Sequence, residues 1–326
     1  MIPDEAYIRR CINLARKGLG SVQPNPMVGA VIVCDGQIIG EGYHQKYGEA
    51  HAEINAINSV ADKSLLKKST IYVSLEPCSH YGKTPPCADK LIEMGFPRVV
   101  IGSTDPNEKV NGKGIARLRA AGIEVTTGIL KEECDELNKR FFTYHCKRRP
   151  YVILKWAQTA DGFMDIDRTV HPDGKYWITN EKVKVLTHRW RSEEQAILIG
   201  YNTYLNDRPQ LTTRLWPGKS PARYIACRES ESAQPVDGFT LVPEEPEAAL
   251  QRLYDDKMQS VIIEGGRKTL ERYISSGLWD EARILTGDQT WGAGTAAPIL
   301  TGGKCVEAFM LDSNRVELHI HSYPDS

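Results

Sequence analysis

The 326 residues, 41% apolar and 25% charged, describe a folded chain long enough for two cores of ordinary domain size. Forty-one basic against 42 acidic residues leave a net charge of −1, without the basic excess that a nucleic-acid binder sets against phosphates; a local pocket for one small phosphate stays open. No run of 18 apolar residues occurs, and Met-Ile-Pro-Asp-Glu has no basic stretch leading into an apolar one, so the expectation is a cytoplasmic chain with neither membrane span nor secretory leader.

In chain order, Ile8, Cys11, Ile12, Ala15 and Leu19 recur near a 3.6-residue period and predict a helix over 5–19. Gln23-Pro24-Asn25-Pro26 cannot continue it. Apolar runs over 28–33 and 38–41 flank Asp35-Gly36, the signal of a tight hairpin. A helix over 53–60, a buried strand over 71–75 and a helix over 87–94, stopped by Gly95, follow. With strands over 98–102 and 123–127, the alternation predicts a mainly parallel α/β sheet.

Cys146-Lys147-Arg148-Arg149-Pro150, charged and then proline, reads as a junction, giving expected domains 1–146 and 147–326. Beyond it the pattern predicts strands over 151–156, 196–199, 223–226, 261–263 and 282–285. Helices are expected over 181–191 and 268–275, with a short one after 199, so the second half is also α/β. Residues 229–247, rich in Ser, Glu and Pro, predict a surface excursion. There is no internal repeat and no low-complexity tract.

Eight cysteines in such a chain favour metal binding or burial over a disulfide framework. Cys11, Cys34, Cys134, Cys146, Cys227 and Cys305 read as inert. His51-Ala52-Glu53, Pro77-Cys78 and Cys87 differ: one imidazole and two thiolates make three ligands for Zn²⁺ and leave a fourth position for water, as catalytic sites do. Zinc brings the pKa of such a water to ~7. Glu53, two residues from His51, suits the proton shuttle of zinc nucleobase deaminases and not a fourth ligand. Positions two apart on a helix diverge, so His51 is expected at the helix lip and Glu53 in its first turn. Cys87 is expected to open the next helix, whose positive end favours a thiolate. A purely structural zinc site would close with a fourth protein ligand. A nucleic-acid-editing deaminase would keep two residues between its cysteines, whereas here 79–86 intervene.

In the second half, the strand over 261–263 runs into Glu264-Gly265-Gly266 and a helix, a turn that lets a phosphate approach backbone N–H groups. It lacks the Gly-x-Gly-x-x-Gly fingerprint. Unaided, Lys155, Arg191 and Arg214 read as solvated charges.

The run Glu76-Pro77-Cys78-Ser79-His80-Tyr81-Gly82-Lys83-Thr84-Pro85-Pro86-Cys87-Ala88-Asp89 resembles the deaminase half of the bifunctional riboflavin-biosynthesis deaminase/reductase family. So do Pro24-Asn25-Pro26-Met27-Val28-Gly29, Gly42-Tyr43-His44 and Gly48-Glu49-Ala50-His51-Ala52-Glu53. Leu154-Lys155-Trp156-Ala157-Gln158-Thr159-Ala160-Asp161-Gly162, Trp177-Ile178-Thr179, His188-Arg189-Trp190-Arg191 and Ile263-Glu264-Gly265-Gly266 resemble its reductase half. The resemblance implies a cytidine-deaminase-like three-layer α/β domain, then a dihydrofolate-reductase-like domain, with Zn²⁺ and NADPH as cofactors. It implies that Asn25, His44, His80 and Lys83 bind the deaminase substrate; by themselves they read equally well as loop polarity. It implies that Lys155, Arg191, Leu211, Arg214 and Glu264 bind the reductase substrate. Gln158, Thr159, Asp161, Trp177, Thr203, Asp207, Gly265 and Gly266 would meet the cofactor. The implied substrates are small phosphoribosyl pyrimidines, with no nucleic acid and no membrane partner, in a homo-oligomer (dimer or tetramer). Departures from the commoner family pattern fall at Phe163-Met164-Asp165, Arg208 and Arg267-Lys268.

Overall fold

Asp35 and Gly36 both adopt positive φ, 48° and 77°, the backbone a two-residue hairpin needs. They join β1 (Gly29–Cys34) to β2 (Gln37–Tyr43). The structure, a computed structural model, describes residues 3–79, 81, 85–107, 110–167, 170, 176–228 and 238–322. By Cα proximity it divides into two units, Met1–Lys147 and Arg148–Ser326.

In the first unit the hairpin is flanked by α1 (Asp4–Ala15) and α2 (Ala52–Ser59). There follow β3 (Thr70–Leu75), α3 (Cys87–Met94), β4 (Arg98–Ser103), α4 (Lys113–Ala120), β5 (Glu124–Thr127), α5 (Lys131–Leu137) and α6 (Lys139–Lys147). The sheet order is β2-β1-β3-β4-β5. Strand periodicity sorts the core: Ala30, Ile32, Ile71 and Val73 face α2, α3 and α4, while Val31, Val33 and Tyr72 face α1 and α5. The result is three layers. The sheet is mixed and not mainly parallel, because β1 runs antiparallel to both β2 and β3; only β3-β4-β5 is parallel. A tight hairpin reverses the chain, and the alternation of strands and helices begins only after it. The first helix also ends earlier than its periodicity predicts, at Ala15, and a 3₁₀ turn over Arg16–Gly18 carries the chain on.

The second unit contains β6 (Tyr151–Gln158), β7 (Phe163–Asp165), α7 (Glu181–Glu193), β8 (Ala196–Gly200), α8 (Tyr201–Asp207), β9 (Ala222–Cys227) and β10 (Thr240–Pro243). It continues with α9 (Pro246–Asp255), β11 (Ser260–Ile263), α10 (Arg267–Ser276), β12 (Glu281–Thr286), β13 (Thr295–Ala296), β14 (Gly303–Leu311) and β15 (Asn314–His321). The large sheet has the order β10-β9-β8-β11-β6-β12-β15-β14 and is parallel from β10 to β12. Helices α9 and α10 cover one face and α7 the other. Arg149 pairs with both oxygens of buried Asp280 at 2.6 and 2.8 Å, and Asp280 also accepts from the Val152 N–H, which pins the start of β6.

The second unit also departs from the sequence reading. The stretch expected as an excursion over 229–247 contributes β10 and the first turn of α9; residues 229–237 lie outside the described set. The β14–β15 hairpin was not anticipated, because β14 is exposed along nearly its whole length and lacks an apolar/polar alternation.

Candidate active sites

In the first unit, glycines set the position of α2. A Cβ on Gly42 would lie 2.3 Å from the Ala56 nitrogen, so β2 and α2 touch backbone to backbone. His51 sits at the N-cap of α2 and Glu53 in its first turn, 3% exposed. Cys78 follows β3, and Cys87 opens α3. The His51 Nδ1 lies 3.6 Å from the Cys78 Sγ and 3.3 Å from the Cys87 Sγ. With Zn–S of about 2.3 Å and Zn–N of about 2.0–2.1 Å, a tetrahedral angle gives N···S edges of about 3.5 Å, so the donor set fits zinc. The Cys87 N–H donates to the Cys78 sulfur at 3.3 Å. Hydrogen bonds from Cys87 and then His51 hold the Cys78 thiol down, while the Cys78 contact, with burial, pushes Cys87 up. Burial pushes the Glu53 carboxyl above the usual carboxylate range.

His44 is buried beside this group, its ring 5.3 Å from that of His51. The Asn25 amide donates to its Nε2 at 3.1 Å, and its Nδ1–H donates to the Ala50 carbonyl at 3.1 Å. Burial lowers its pKa, so the ring is neutral. His80 and Lys83 lie outside the described residues.

Two supports here were missed by sequence reasoning. The Glu76 carboxylate accepts four backbone N–H groups, from Asp105, Gly112, Gly114 and Ile115, and so ties the start of α4 to the Pro77-Cys78 turn. Asn138 makes a two-way amide contact with the Met27 backbone at 2.8 and 2.9 Å, fixing the loop that carries Asn25. A buried carboxylate immediately before Pro-Cys was the only available signal for the first, and nothing local marks the second.

In the second unit a cleft of about 880 Å³ opens at the carboxyl ends of β6, β8 and β11, the usual position for a ligand on a parallel sheet. It brings together Lys155, Trp177, Arg191, Thr203, Asp207, Leu211, Arg214, Glu264, Gly265 and Gly266. Glu264 takes a forked bond from Arg191 at 3.2 and 2.7 Å, with the Lys155 Nζ at 3.5 Å. Burial opposes ionisation of Glu264, but Arg191 and then Lys155 outweigh it and hold its carboxyl at about 2. Burial lowers Lys155. The Gly266 N–H donates to the Thr203 hydroxyl at 3.0 Å, and Gly266 caps α10. Gly265 is required by packing, since a Cβ there would meet Thr269 at 2.6 Å. Leu211 is buried at φ 54°, and Arg208 closes α8 at φ 43°; two non-glycine residues in the left-handed region mark this rim as strained.

Gln158, Thr159 and Asp161 do not line the cleft. Gln158 accepts from the Trp156 indole at 2.8 Å. The Thr159 hydroxyl donates to Asp161 at 2.5 Å, and Asp161 accepts the N–H groups of Trp291 and Gly292. Their polar atoms build a turn.

Several lining residues went unassigned, His188 among them. His188 is 2% exposed, and burial, then Arg191 and Arg214, lower its pKa to about 4. Its signal was the spacing Lys184, His188, Arg191, which places all three on one face of α7.

A three-donor metal centre with a buried glutamate, and a cationic cleft over a parallel sheet, define a metal-dependent deaminase joined to a nucleotide-dependent reductase. Residues 1–103 match the family described as the cytidine and deoxycytidylate deaminase zinc-binding region, and residues 150–320 match the RibD C-terminal domain. The riboflavin biosynthesis protein RibD of Aquifex aeolicus (strain VF5) is 36% identical over 344 residues, covering 96% of this chain and 95% of that one. That of Bacillus amyloliquefaciens is 39% identical, covering 92% and 88%. Among solved structures, a diaminohydroxyphosphoribosylaminopyrimidine deaminase/5-amino-6-(5-phosphoribosylamino)uracil reductase from Thermotoga maritima is similar with a TM-score of 0.87 and 36% identity, over 98% of both chains. The chain belongs to the RibD family of bifunctional riboflavin-biosynthesis enzymes. It pairs a cytidine-deaminase-like domain with a dihydrofolate-reductase-like domain and uses Zn²⁺ and NADPH. No helix among the described residues is long and apolar enough to cross a membrane.

Proposed function

We propose that domain 1–146 removes the 2-amino group of 2,5-diamino-6-(5-phosphoribosylamino)pyrimidin-4-one. Domain 147–326 then reduces the ribosyl group of 5-amino-6-(5-phosphoribosylamino)uracil to ribityl. The observation that carries the first half is the trio His51, Cys78 and Cys87 with Glu53 buried against it. His51, Cys78 and Cys87 would hold zinc, which when bound would supply a water acidified to a pKa of ~7. Glu53 takes one proton of the attacking water and passes it to the ring nitrogen, then takes the proton left on the added hydroxyl and delivers it to the amino group, so that the C–N bond breaks, ammonia leaves and the carbonyl forms. Neutral His44, held by Asn25 and the Ala50 carbonyl, offers the substrate a ring of fixed orientation. His80 and Lys83, by resemblance, belong to the same substrate site.

In the second domain NADPH supplies the hydride. Arg191 and Arg214 bind the substrate phosphate, since a guanidinium keeps its charge and presents a fork of donors. Lys155, held against Glu264, orients the sugar, and Leu211 closes the apolar side. Trp177, Thr203, Asp207, Gly265 and Gly266 line the cofactor's place, with Gln158, Thr159 and Asp161 shaping the adjoining turn. The substrates are small molecules, and neither nucleic acid nor membrane is a partner. Among the described residues no disulfide joins the cysteines, which supports a cytoplasmic location. The nine-residue edge β14 with exposed Val306 and Met310 supports a homo-oligomer.

The test is to incubate the full chain with the diaminopyrimidine phosphate, with and without NADPH, and weigh the products. The expected result is the deaminated uracil alone without NADPH and the ribityl product with it. An unchanged substrate mass in both tubes contradicts the proposal.

A further inference from the structure

The β14–β15 hairpin carries a second group of metal-ligating side chains. Cys305 lies directly opposite His319 in the strand register, and Glu317 is two residues before His319, on the same face. Donor atoms of Cys305, Glu317 and His319 lie within 4.8 Å of one another. The ring of His319 is in an unusual position. Both its nitrogens are buried, and neither has a hydrogen-bond partner. The register explains why: on its other flank His319 faces Ala282, and Glu317 faces Ile284, so neither has a polar side chain directly opposite it on the neighbouring strand. An unmet buried ring nitrogen is costly, and such groups are rare without a water or an ion. Among the directly opposed residues, only the Cys305 thiol can share a ligand with it.

We propose that Cys305, Glu317 and His319 form a second binding site for a zinc-like divalent cation, distinct from the one in the deaminase domain. The donor set of thiolate, imidazole and carboxylate suits Zn²⁺, with water completing the coordination. The competing contacts are weak. Glu317 pairs with Arg315 at 2.9 Å, but Arg315 is 56% exposed, and exposed pairs of this kind contribute little. The Cys305 thiol reaches only the Glu307 carbonyl at 3.5 Å, across the irregularity between Cys305 and Glu307. A bound ion staples the two strands where that irregularity loosens their pairing. Cys305, read as inert from the sequence, is thereby a ligand.

Equilibrium dialysis of the full chain against micromolar zinc, followed by metal analysis, tests the site. Wild type is expected to hold about two zinc ions per chain and Cys305→Ser or His319→Gln about one, with deamination and reduction unchanged. A second measurement adds Co²⁺ to a Cys78→Ala/Cys87→Ala variant, in which the deaminase centre is removed. A near-ultraviolet thiolate-to-cobalt band is expected, and it should vanish on adding Cys305→Ser. One zinc in the wild type, or two in both single variants, overturns the proposal, and so does the absence of the cobalt band. The single variants alter an exposed thiol and a half-buried ring, so the zinc count stands by itself if the double variant does not fold.

Discussion

The two sites are built on opposite principles. The deaminase centre gathers a few donors at two helix starts and just past a strand end, at separations that suit a tetrahedral metal. The reductase cleft spreads over some 880 Å³ and is shaped by backbone, packing and a buried ion cluster. A metal accepts only certain residue types, so its site is spelled out in letters. A cofactor cleft can be lined by many sequences provided the strand ends and helix starts fall in place, so its site is spelled out in topology.

The sharpest way to break that contrast is Glu53→Gln. The substitution keeps size, should keep zinc and removes the proposed proton shuttle, so deamination should fall about 10²–10⁴-fold. Coupled ammonia release and zinc analysis read it; activity within a few-fold of wild type would remove Glu53 from the chemistry.

Next comes Glu264→Ala, which leaves Lys155 and Arg191 buried without their counter-charge. A loss of about 3–5 kcal/mol is expected from breaking such a pair. All six tryptophans lie in the second unit, so their fluorescence reports its unfolding alone. An unchanged transition would mean that the ion cluster does not hold the cleft together.

Acid should act on the same unit. His188, at about 4 instead of 6.5, stays neutral when folded, so between those values the unfolded chain binds the extra proton. Its contribution is present above pH 6.5 and is lost as pH falls toward 4, about 2–3 kcal/mol in all. Glu264, at about 2 instead of 4.5, extends the loss below pH 4.5. Denaturant titrations from pH 7 to 4, read by tryptophan fluorescence, should slope downward in wild type and flatten in His188→Gln; equal slopes would remove His188 as the cause.

A smaller effect, about 1–3 kcal/mol, is expected for Gly42→Ala, whose Cβ would press on the α2 backbone at 2.3 Å. Thermal melting followed by circular dichroism would show it, together with weakened zinc binding as His51 and Glu53 shift. A neutral result would mean that α2 moves freely on β2.

What could be read in the sequence follows the same division. His51, Glu53, Cys78 and Cys87 announce themselves, and Asp35-Gly36 and Gly95 mark turns with positive φ as their residue types predict. Glu76 and Asn138 did not, because their partners are backbone groups far along the chain, at 105–115 and at Met27. The antiparallel placement of β1 and the exposed β14–β15 hairpin were hidden for a similar reason: neither pairing direction nor an exposed edge leaves a periodic mark. Thr159 and Asp161, which the resemblance gave to the cofactor, were not legible as the turn their hydrogen bonds build.

The central claim is that one chain carries two separable chemistries, and a crossed measurement tests it most directly. Glu53→Gln and Arg214→Ala are each assayed on the diaminopyrimidine phosphate and, separately, on supplied 5-amino-6-(5-phosphoribosylamino)uracil with NADPH. Arg214 is exposed and stands outside the Lys155–Arg191–Glu264 cluster, so its loss should leave the fold intact. Glu53→Gln should lose deamination and reduce normally. Arg214→Ala should deaminate normally and reduce roughly ten- to a hundredfold less well at limiting substrate. If either substitution disables both reactions in a folded protein, the sites are not separate and the account is wrong.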